Sequence, residues 1–527
     1  MTENLSLGQI YSGNADAKDD FILTGTQDEF LKSFIIQDEN QIQRFNDGIK
    51  FFIYGMKGTG KTAQLRYLEN IARQNGALTH FILFKTNIRN EHREELIRAG
   101  NISLADIEDR KDELDYENSW MWFIFKTIRG LLENKNDIFI KDDNYKEFCN
   151  LIDSLLKKSK WYSSFIPKIK NGNVALKGKL SESVSASLNI EFKSGDDFSE
   201  KQASFSKVCS VLEQLFINLK SENKKLYIYF DEIEISFNTQ KQYSRDSRLI
   251  RDLISAIYRF NTLCIQHGLP PRIFAAIRSE VMLSVASLGK EVNKIIFDTG
   301  YPISWNIGKS GLSHPLIQML VKRLEVSENP ECESDSSIFK RYFPENINTI
   351  EPEKYILDNS WKRPRDIVRI LVLAKEKFPN NKIFSQSVFE GIKYEYATAS
   401  WIEIAEELKA SFSSQDLEAI KKLLSFNTYE FTLGDLIRIC EERQQYYTEL
   451  VGFFERHKPG NIIEILYRNG VLGNIQYRDI PGQTYIDNNG NTRQSREKQY
   501  RFADRGNESP NLEGKFLLHP ALRPVFR

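Results

Sequence analysis

The chain has 527 residues, enough for three or four domains that each bury a core of their own. Its 72 basic residues balance 72 acidic ones, which excludes a global field aimed at nucleic acid or an acidic partner and leaves that question to local asymmetry. The five cysteines, Cys149, Cys209, Cys264, Cys332 and Cys440, lack paired spacing, as expected of buried thiols in a reducing cytosol, and indicate no structural zinc. The opening Met1-Thr2-Glu3-Asn4-Leu5 has no signal-peptide character, and no apolar run approaches the roughly 20 residues that span a bilayer, so a cytoplasmic protein with no membrane association is expected. Residues 1–20 are polar and rich in Gly and Asp, which predicts a flexible lead-in. A helical pattern from Asp28 to Phe45 then leads into Phe51-Phe52-Ile53-Tyr54, an apolar run suited to a buried parallel strand.

The next eight residues, Gly55-Met56-Lys57-Gly58-Thr59-Gly60-Lys61-Thr62, spell a phosphate-binding loop. Glycines let the backbone fold around an anion so that several N–H groups point inward. The following helix, with Ala63, Leu65, Leu68 and Ile71 on its buried face, presents its positive end to the same anion. In this reading Gly55, Gly58, Thr59, Gly60, Lys61 and Thr62 cradle the phosphates of ATP, Lys61 reaches the β- and γ-phosphates, and the Thr62 hydroxyl sits on Mg2+.

A second strand is expected from Thr79 to Phe84, followed by an insertion over about 88–222. It is predicted to hold helices near 115–134, 143–160 and 199–220 and a β-hairpin over 173–192. In that hairpin Val184, Ala186, Leu188, Ile190 and Phe192 alternate with Ser185, Ser187, Asn189 and Glu191. Then Leu226-Tyr227-Ile228-Tyr229-Phe230 runs into Asp231-Glu232, two acids at the carboxyl end of a buried strand, where open α/β sheets bind ligands. Asp231 is expected to hold Mg2+ through water, and Glu232 to orient the attacking water and take its proton. Adjacent carboxylates also serve as caps or solvated turns. A further strand, Arg272–Ile277, ends in Arg278-Ser279-Glu280. Guanine recognition is disfavoured, since Asn293-Lys294-Ile295-Ile296 has Ile where a carboxylate is required.

These motifs, in this order, resemble AAA+ ATPases, particularly the branch of the origin-recognition and STAND signalling ATPases. The resemblance implies an α/β fold, a P-loop NTPase with a parallel sheet flanked by helices over 21–311, an α-helical lid domain over 312–400 and a C-terminal winged-helix domain over 401–527. It assigns γ-phosphate sensing to Arg278, with Ser279 the lesser candidate, and places a second sensing arginine in the lid at Arg365, within Ser360-Trp361-Lys362-Arg363-Pro364-Arg365-Asp366. It also implies a homo-oligomer in which one of Arg245, Arg248 and Arg251 could reach a neighbouring nucleotide, the alternative for all three being solvated helix positions. STAND lids usually carry Gly-x-Pro, and Lys362-Arg363-Pro364 departs from that pattern.

Beyond the lid, helices are predicted at 414–426, 432–445 and 459–468, then Gly470–Tyr477 and a return at Lys498–Phe502. Three helices and a two-stranded hairpin describe a winged helix. Residues 451–527 carry twelve Lys or Arg against eight Asp or Glu, while 401–450 carry five against ten. Arg493, Arg496, Lys498, Arg501 and Arg505 thus suit phosphate contacts to double-stranded DNA. The layout, with Phe516-Leu517-Leu518-His519-Pro520, is also similar to a poorly characterised group of bacterial P-loop ATPases. The expectation is an ATP-hydrolysing switch or motor whose nucleotide state controls a DNA-binding winged helix. The alternative is a STAND-like signalling or antiviral-defence ATPase whose winged helix and hairpin insertion bind protein partners.

Overall fold

The computed structural model describes residues 3–23, 25–103, 116–134, 138–156, 166–167, 169–170, 172–177, 180–190, 201–235, 240–286, 288–289, 291–306, 308–328, 337–409, 411–425, 430–486, 492–503 and 509–526. The chain divides into two compact units, one of Asp38–Gly55 and Lys61–Ile303 and the other of Met1–Gln37, Met56–Gly60 and Ser304–Arg527.

The first unit is α/β. Its strands are β1 (Phe52–Gly55), β2 (Leu78–Leu83), β3 (Ile169–Lys170), β4 (Asn173–Leu176), β5 (Lys201–Ser204), β6 (Leu226–Ile233), β7 (Pro271–Arg278) and β8 (Gly300–Pro302). Five of them form a parallel sheet in the order β2-β6-β7-β1-β8. Near-continuous apolar runs produce this arrangement, because strands covered on both faces have no polar side to alternate with. The insertion shares the sheet's core: Phe125 and Phe216 lie 5.2 Å apart, Phe216 and Phe260 5.4 Å apart, and the indole N–H of Trp120 donates to the Leu249 carbonyl at 2.9 Å. Its helices Glu117–Asn134 and Phe205–Ile217 thereby cover the Gln240–Gln266 helix instead of standing apart as a module.

Two expectations fail in this unit. The helix predicted from Asp28 to Phe45 is two helices, Gln27–Lys32 and Glu39–Asn46, and only the second lies in the unit. The hairpin over 173–192 is replaced by a three-stranded antiparallel sheet, β3-β4-β5, and a short helix, Glu182–Ser187. Ser181 caps that helix by accepting from the Val184 N–H, and Asn189, at φ 56°, ends it in the left-handed region. Within the alternating pattern, Val184 and Leu188 also stand four apart, and they are buried while Ala186 is exposed. Glu191 and Phe192 lie outside the described residues.

The second unit is mainly helical between residues 315 and 408, with helices Pro315–Glu328, Ser337–Tyr342, Pro352–Asp358, Pro364–Lys377 and Gln386–Leu408. Residues 3–23, expected as a flexible lead-in up to residue 20, are instead fixed along these helices. Leu7 and Gly8 donate backbone N–H groups to Asn381 and Pro379 at 2.7 and 2.9 Å, Leu7 and Ile10 are buried, and Arg323 donates to the Ser12 carbonyl. Composition hid this strap because many of its bonds are made by its backbone, with Asn4 adding its side-chain amide to the Arg341 carbonyl at 2.9 Å.

Farther on, β9 (Glu430–Phe431), β10 (Leu472–Ile486), β11 (Thr492–Phe502) and β12 (Lys515–Leu518) form an antiparallel sheet in the order β11-β10-β12-β9. The expected two-stranded hairpin is thus the longer part of a four-stranded sheet. Helices Ser414–Leu424, Leu433–Arg443 and Pro459–Arg468 pack behind it, and the first two open on capping boxes set by Ser413 with Asp416 and by Thr432 with Asp435. Cys149, Cys209, Cys264 and Cys440 are buried free thiols, and Cys332 lies outside the described residues.

The short helix is testable against the hairpin. Leu188→Ala should cost about 2–4 kcal/mol of stability, as a buried leucine does, whereas Ala186→Asp should change it by less than about 0.5 kcal/mol. Denaturant unfolding of the two variants checks this, since a hairpin would bury both positions and make both substitutions costly.

Candidate functional site

Gly55 ends β1 and Lys61 opens the Lys61–Gln74 helix. Between them Gly58 and Gly60 adopt φ values of 81° and 93°, which a side chain would oppose, so the loop's tight course depends on glycine at these two positions. The chain changes unit twice here, with Gly55 and Lys61 in the sheet unit and Met56–Gly60 in the helical unit.

In the sheet unit, Lys61, Thr62, Asp231 and Glu232 come together. Lys61 is buried and its Nζ donates to the Gly55 carbonyl at 2.9 Å. Asp231 is only 3% exposed, the Thr62 hydroxyl donates to its carboxylate, and Oδ2 is buried with no hydrogen-bond partner among the described residues. Burial pushes the Asp231 carboxyl up from its ordinary range, against the pull of Thr62, the Glu232 N–H and Lys61.

The strand does not simply end at these acids. Phe230 pairs with Ala275 and Ile233 with Ile277, so three steps along β6 match two along β7 and one residue is extra. Glu232 has φ 55°, a left-handed conformation that L side chains resist. This bulge, invisible in an apolar run followed by two acids, turns the Glu232 side chain out of the regular alternation of the strand.

Strand β7 lies between loop-bearing β1 and acid-bearing β6, and its last residue, Arg278, is paired in register with Gly55. Arg278 forms an ion pair with Glu234 and lies 3.6 Å from Glu280, while Lys85 approaches Glu234 at 3.7 Å. Sequence reasoning named Arg278 and missed Glu234, whose partner is 44 residues away in the chain. Of the arginines considered for a neighbouring nucleotide, Arg251 is buried and paired with Asp252 at 2.8 Å. Arg245 is paired with Asp246 at 2.9 Å. Arg248 is half-buried.

In the helical unit, Gly58 and Arg365 come together. A Cβ added to Gly58 would lie 3.3 Å from the Cβ of Arg365 and 3.5 Å from the Cδ of Arg363, and the Arg365 N–H points to the Gly58 carbonyl at 3.4 Å. Trp305 Nε1 donates to the Thr59 carbonyl at 2.9 Å. Pro364 occupies the first turn of its helix, where its missing N–H leaves no helical bond unmade. Asp366, the next residue, is buried and accepts from the Trp361 N–H, whereas Arg365 binds Glu403 Oε1 at 2.6 Å and the Ala15 carbonyl at 3.0 Å. Glu403 had no signal in the sequence.

Of the cations expected to meet DNA, Arg496 pairs with Asp479 at 2.7 Å and Lys498 with Glu430, while Arg505 lies outside the described residues. Among the described residues no group of three or more His, Cys, Asp or Glu side chains is placed to hold a metal by itself, and no helix is long and apolar enough to cross a membrane.

Strain at the bulge has a measurable consequence. Glu232→Val should lower stability by about 1–2 kcal/mol, because branching at Cβ deepens the penalty of the left-handed conformation, while Glu232→Gly should match or exceed the parent. Denaturant unfolding of the pair provides the check, and an equal loss in both variants would refute the strained turn.

Residues 314–400 match the family described as a FunZ-associated C-terminal helical domain, a match confined to the helices from Pro315–Glu328 to most of Gln386–Leu408. No curated protein matches the chain.

Proposed function

We propose that this protein binds ATP with Mg2+ on the 55–62 loop and hydrolyses it, as an AAA+-type P-loop NTPase. One observation carries the reading: the loop lysine and threonine, at the start of a helix, are joined to an acidic pair on a parallel strand, its Asp231 buried, through the hydrogen bond from Thr62 to Asp231. The donors fit Mg2+. Asp231 keeps a buried oxygen without a partner beside the Thr62 hydroxyl, and Mg2+ at nucleotide sites takes only one or two protein oxygens, the rest being phosphate and water. When bound, the ion would neutralise charge on the phosphates.

The chain's own residues then divide the work. Backbone N–H groups of the loop, freed by Gly58 and Gly60, bind phosphate oxygens, and Lys61 exchanges its bond to Gly55 for the β- and γ-phosphates. Glu232 takes the proton of the attacking water. Arg278 and Arg365 are proposed to contact the γ-phosphate, each leaving a carboxylate to do so, Glu234 and Glu403 respectively. Arg248 remains the candidate for a trans contact in a homo-oligomer, with Arg245 behind it because Asp246 holds it.

We read the 315–400 helices as the lid and the C-terminal domain as a winged helix, in the cytoplasm. Support for the latter comes from the sheet, in which β9, β12 and β10 are neighbours and β11 extends the wing. Nucleotide state is proposed to control DNA binding by this wing. A second reading, a protein partner, is favoured by the pairing of Arg496 and Lys498 with the domain's own acids.

Lys61→Ala should abolish binding of a fluorescent ATP analogue, since loop N–H groups alone leave phosphate charge uncompensated. Glu232→Gln should retain binding and slow phosphate release by about 100-fold or more, as loss of a general base does. Undiminished turnover in the Gln variant would remove Glu232 from that role.

For the wing, replacing Arg493, Arg496 and Arg501 with Ala should weaken duplex binding about equally for all sequences and lower the salt slope by about one unit for each phosphate no longer neutralised. Binding as tight as the parent's across a salt series would transfer the domain to the protein-partner reading.

A further inference from the structure

Three cations converge on one carboxylate in the helical unit. Glu403, on the Gln386–Leu408 helix, takes Arg365 at 2.6 Å and Lys57 at 3.4 Å on Oε1, and Arg369 on Oε2. Lys57 belongs to the phosphate loop and is held further by Glu406 and Glu407, each at 3.8 Å. Burial pushes the Glu403 carboxyl up, but Arg365, Arg369 and Lys57 outweigh it and hold it down at about 2, so the anion persists at any physiological pH. The Arg365 side chain passes along Gly58 before it turns to Glu403, which places its stem against the loop and its charged head on the helix.

The same helix reaches into the C-terminal domain. Trp401, Ile404 and Leu408 belong to the core built by Leu417, Leu423, Phe453, Leu466 and Phe526, and the Trp401 and Phe526 rings meet at 4.8 Å. Glu403 is therefore one residue from the side chains that anchor that core.

We propose that Glu403 is a displaceable anionic latch: it holds Lys57 and Arg365 until the terminal phosphate of a nucleoside triphosphate on the loop takes their place, and its release frees the Gln386–Leu408 helix to move against the C-terminal core. This rests on the nucleotide reading above. One anion replaces another, so the guanidinium and ammonium stay paired throughout and the exchange avoids leaving a half-buried charge alone. A diphosphate, lacking the terminal group, competes less well.

The experiment measures affinity of the full chain for a non-hydrolysable ATP analogue and for ADP, both with Mg2+, in the parent, Lys61→Ala, Glu403→Gln and Glu403→Gln/Arg365→Ala proteins. Removing the latch should tighten the triphosphate analogue about ten-fold and ADP by less than about two-fold, the scale of an ordinary coupling energy. The double variant should lose that gain. If the parent binds in a Lys61-dependent way but Glu403→Gln binds the analogue no tighter, the latch is wrong and the nucleotide reading stands. Absence of Lys61-dependent binding in the parent sinks both. Should Glu403→Gln not fold, Lys57→Gln cuts one arm and leaves Glu403 paired to both arginines. Hydrogen exchange at residues 401–408 should then rise without nucleotide, and unchanged exchange overturns the latch.

Discussion

Asp231 places a carboxylate in the buried end of a parallel sheet, and its neighbours are arranged around the cost of that charge. Burial denies it bulk solvent, so the compensation has to come from Thr62, the Glu232 N–H and the nearby Lys61, and one oxygen is still left over. An unsatisfied buried oxygen is expensive in a merely structural position, where an apolar residue of similar size would do better. It is reasonable in a position that meets a cation during function. The bulge at Glu232 belongs to the same arrangement: an extra residue breaks the ladder where the two acids must face different ways, and the strain of a left-handed glutamate is tolerated because paired strand on both sides holds it.

A second regularity is that each proposed phosphate-contacting arginine already owns a carboxylate. Arg278 has Glu234 and Arg365 has Glu403. A guanidinium held by a carboxylate keeps its charge and its planar fork, so a phosphate oxygen meets a donor set that differs from its present one only in position. Under the proposed reading, this makes nucleotide binding an exchange between anions and ties it to whatever the displaced carboxylates were holding in place. For Glu403 that is a helix whose next turn is buried in the C-terminal core.

Strands β1, β2, β6 and β7, the loop and the Pro459–Arg468 helix were legible because each is decided locally, by apolar runs, by glycines with left-handed torsions and by Pro at a helix start. What escaped is decided at long range. Glu403 lies 38 residues from Arg365 and in no motif, and an acidic residue on an exposed-looking helical pattern reads as a solvated face until the fold brings cations to it. Residues 181–190 show a different failure. Their period-two pattern contains an i, i+4 pair, Val184 and Leu188, and the cap at Ser181 decided between the two periods. Strands β9 and β12 have two and four residues, too few for any period to declare itself.

The hairpin of β10 and β11 shows why counting charges along the chain overstates attraction for a polyanion. The register of β10 with β11 puts Tyr477 opposite Lys498, Ile475 opposite Tyr500 and Asp479 opposite Arg496, all on one face, since directly opposed residues and those two apart share a side. On that face the lysine is drawn to Glu430 and the arginine to Asp479, while Tyr477 and Tyr500 are 55% and 53% exposed. Under the second reading proposed above, these exposed rings among paired charges would supply contact area at little entropic cost. On the opposite face Arg501 lies opposite Asn474, and the exposed Arg478 lies opposite Glu497. The two faces of one hairpin therefore differ in character, and the cations counted along its sequence are not all offered on one surface.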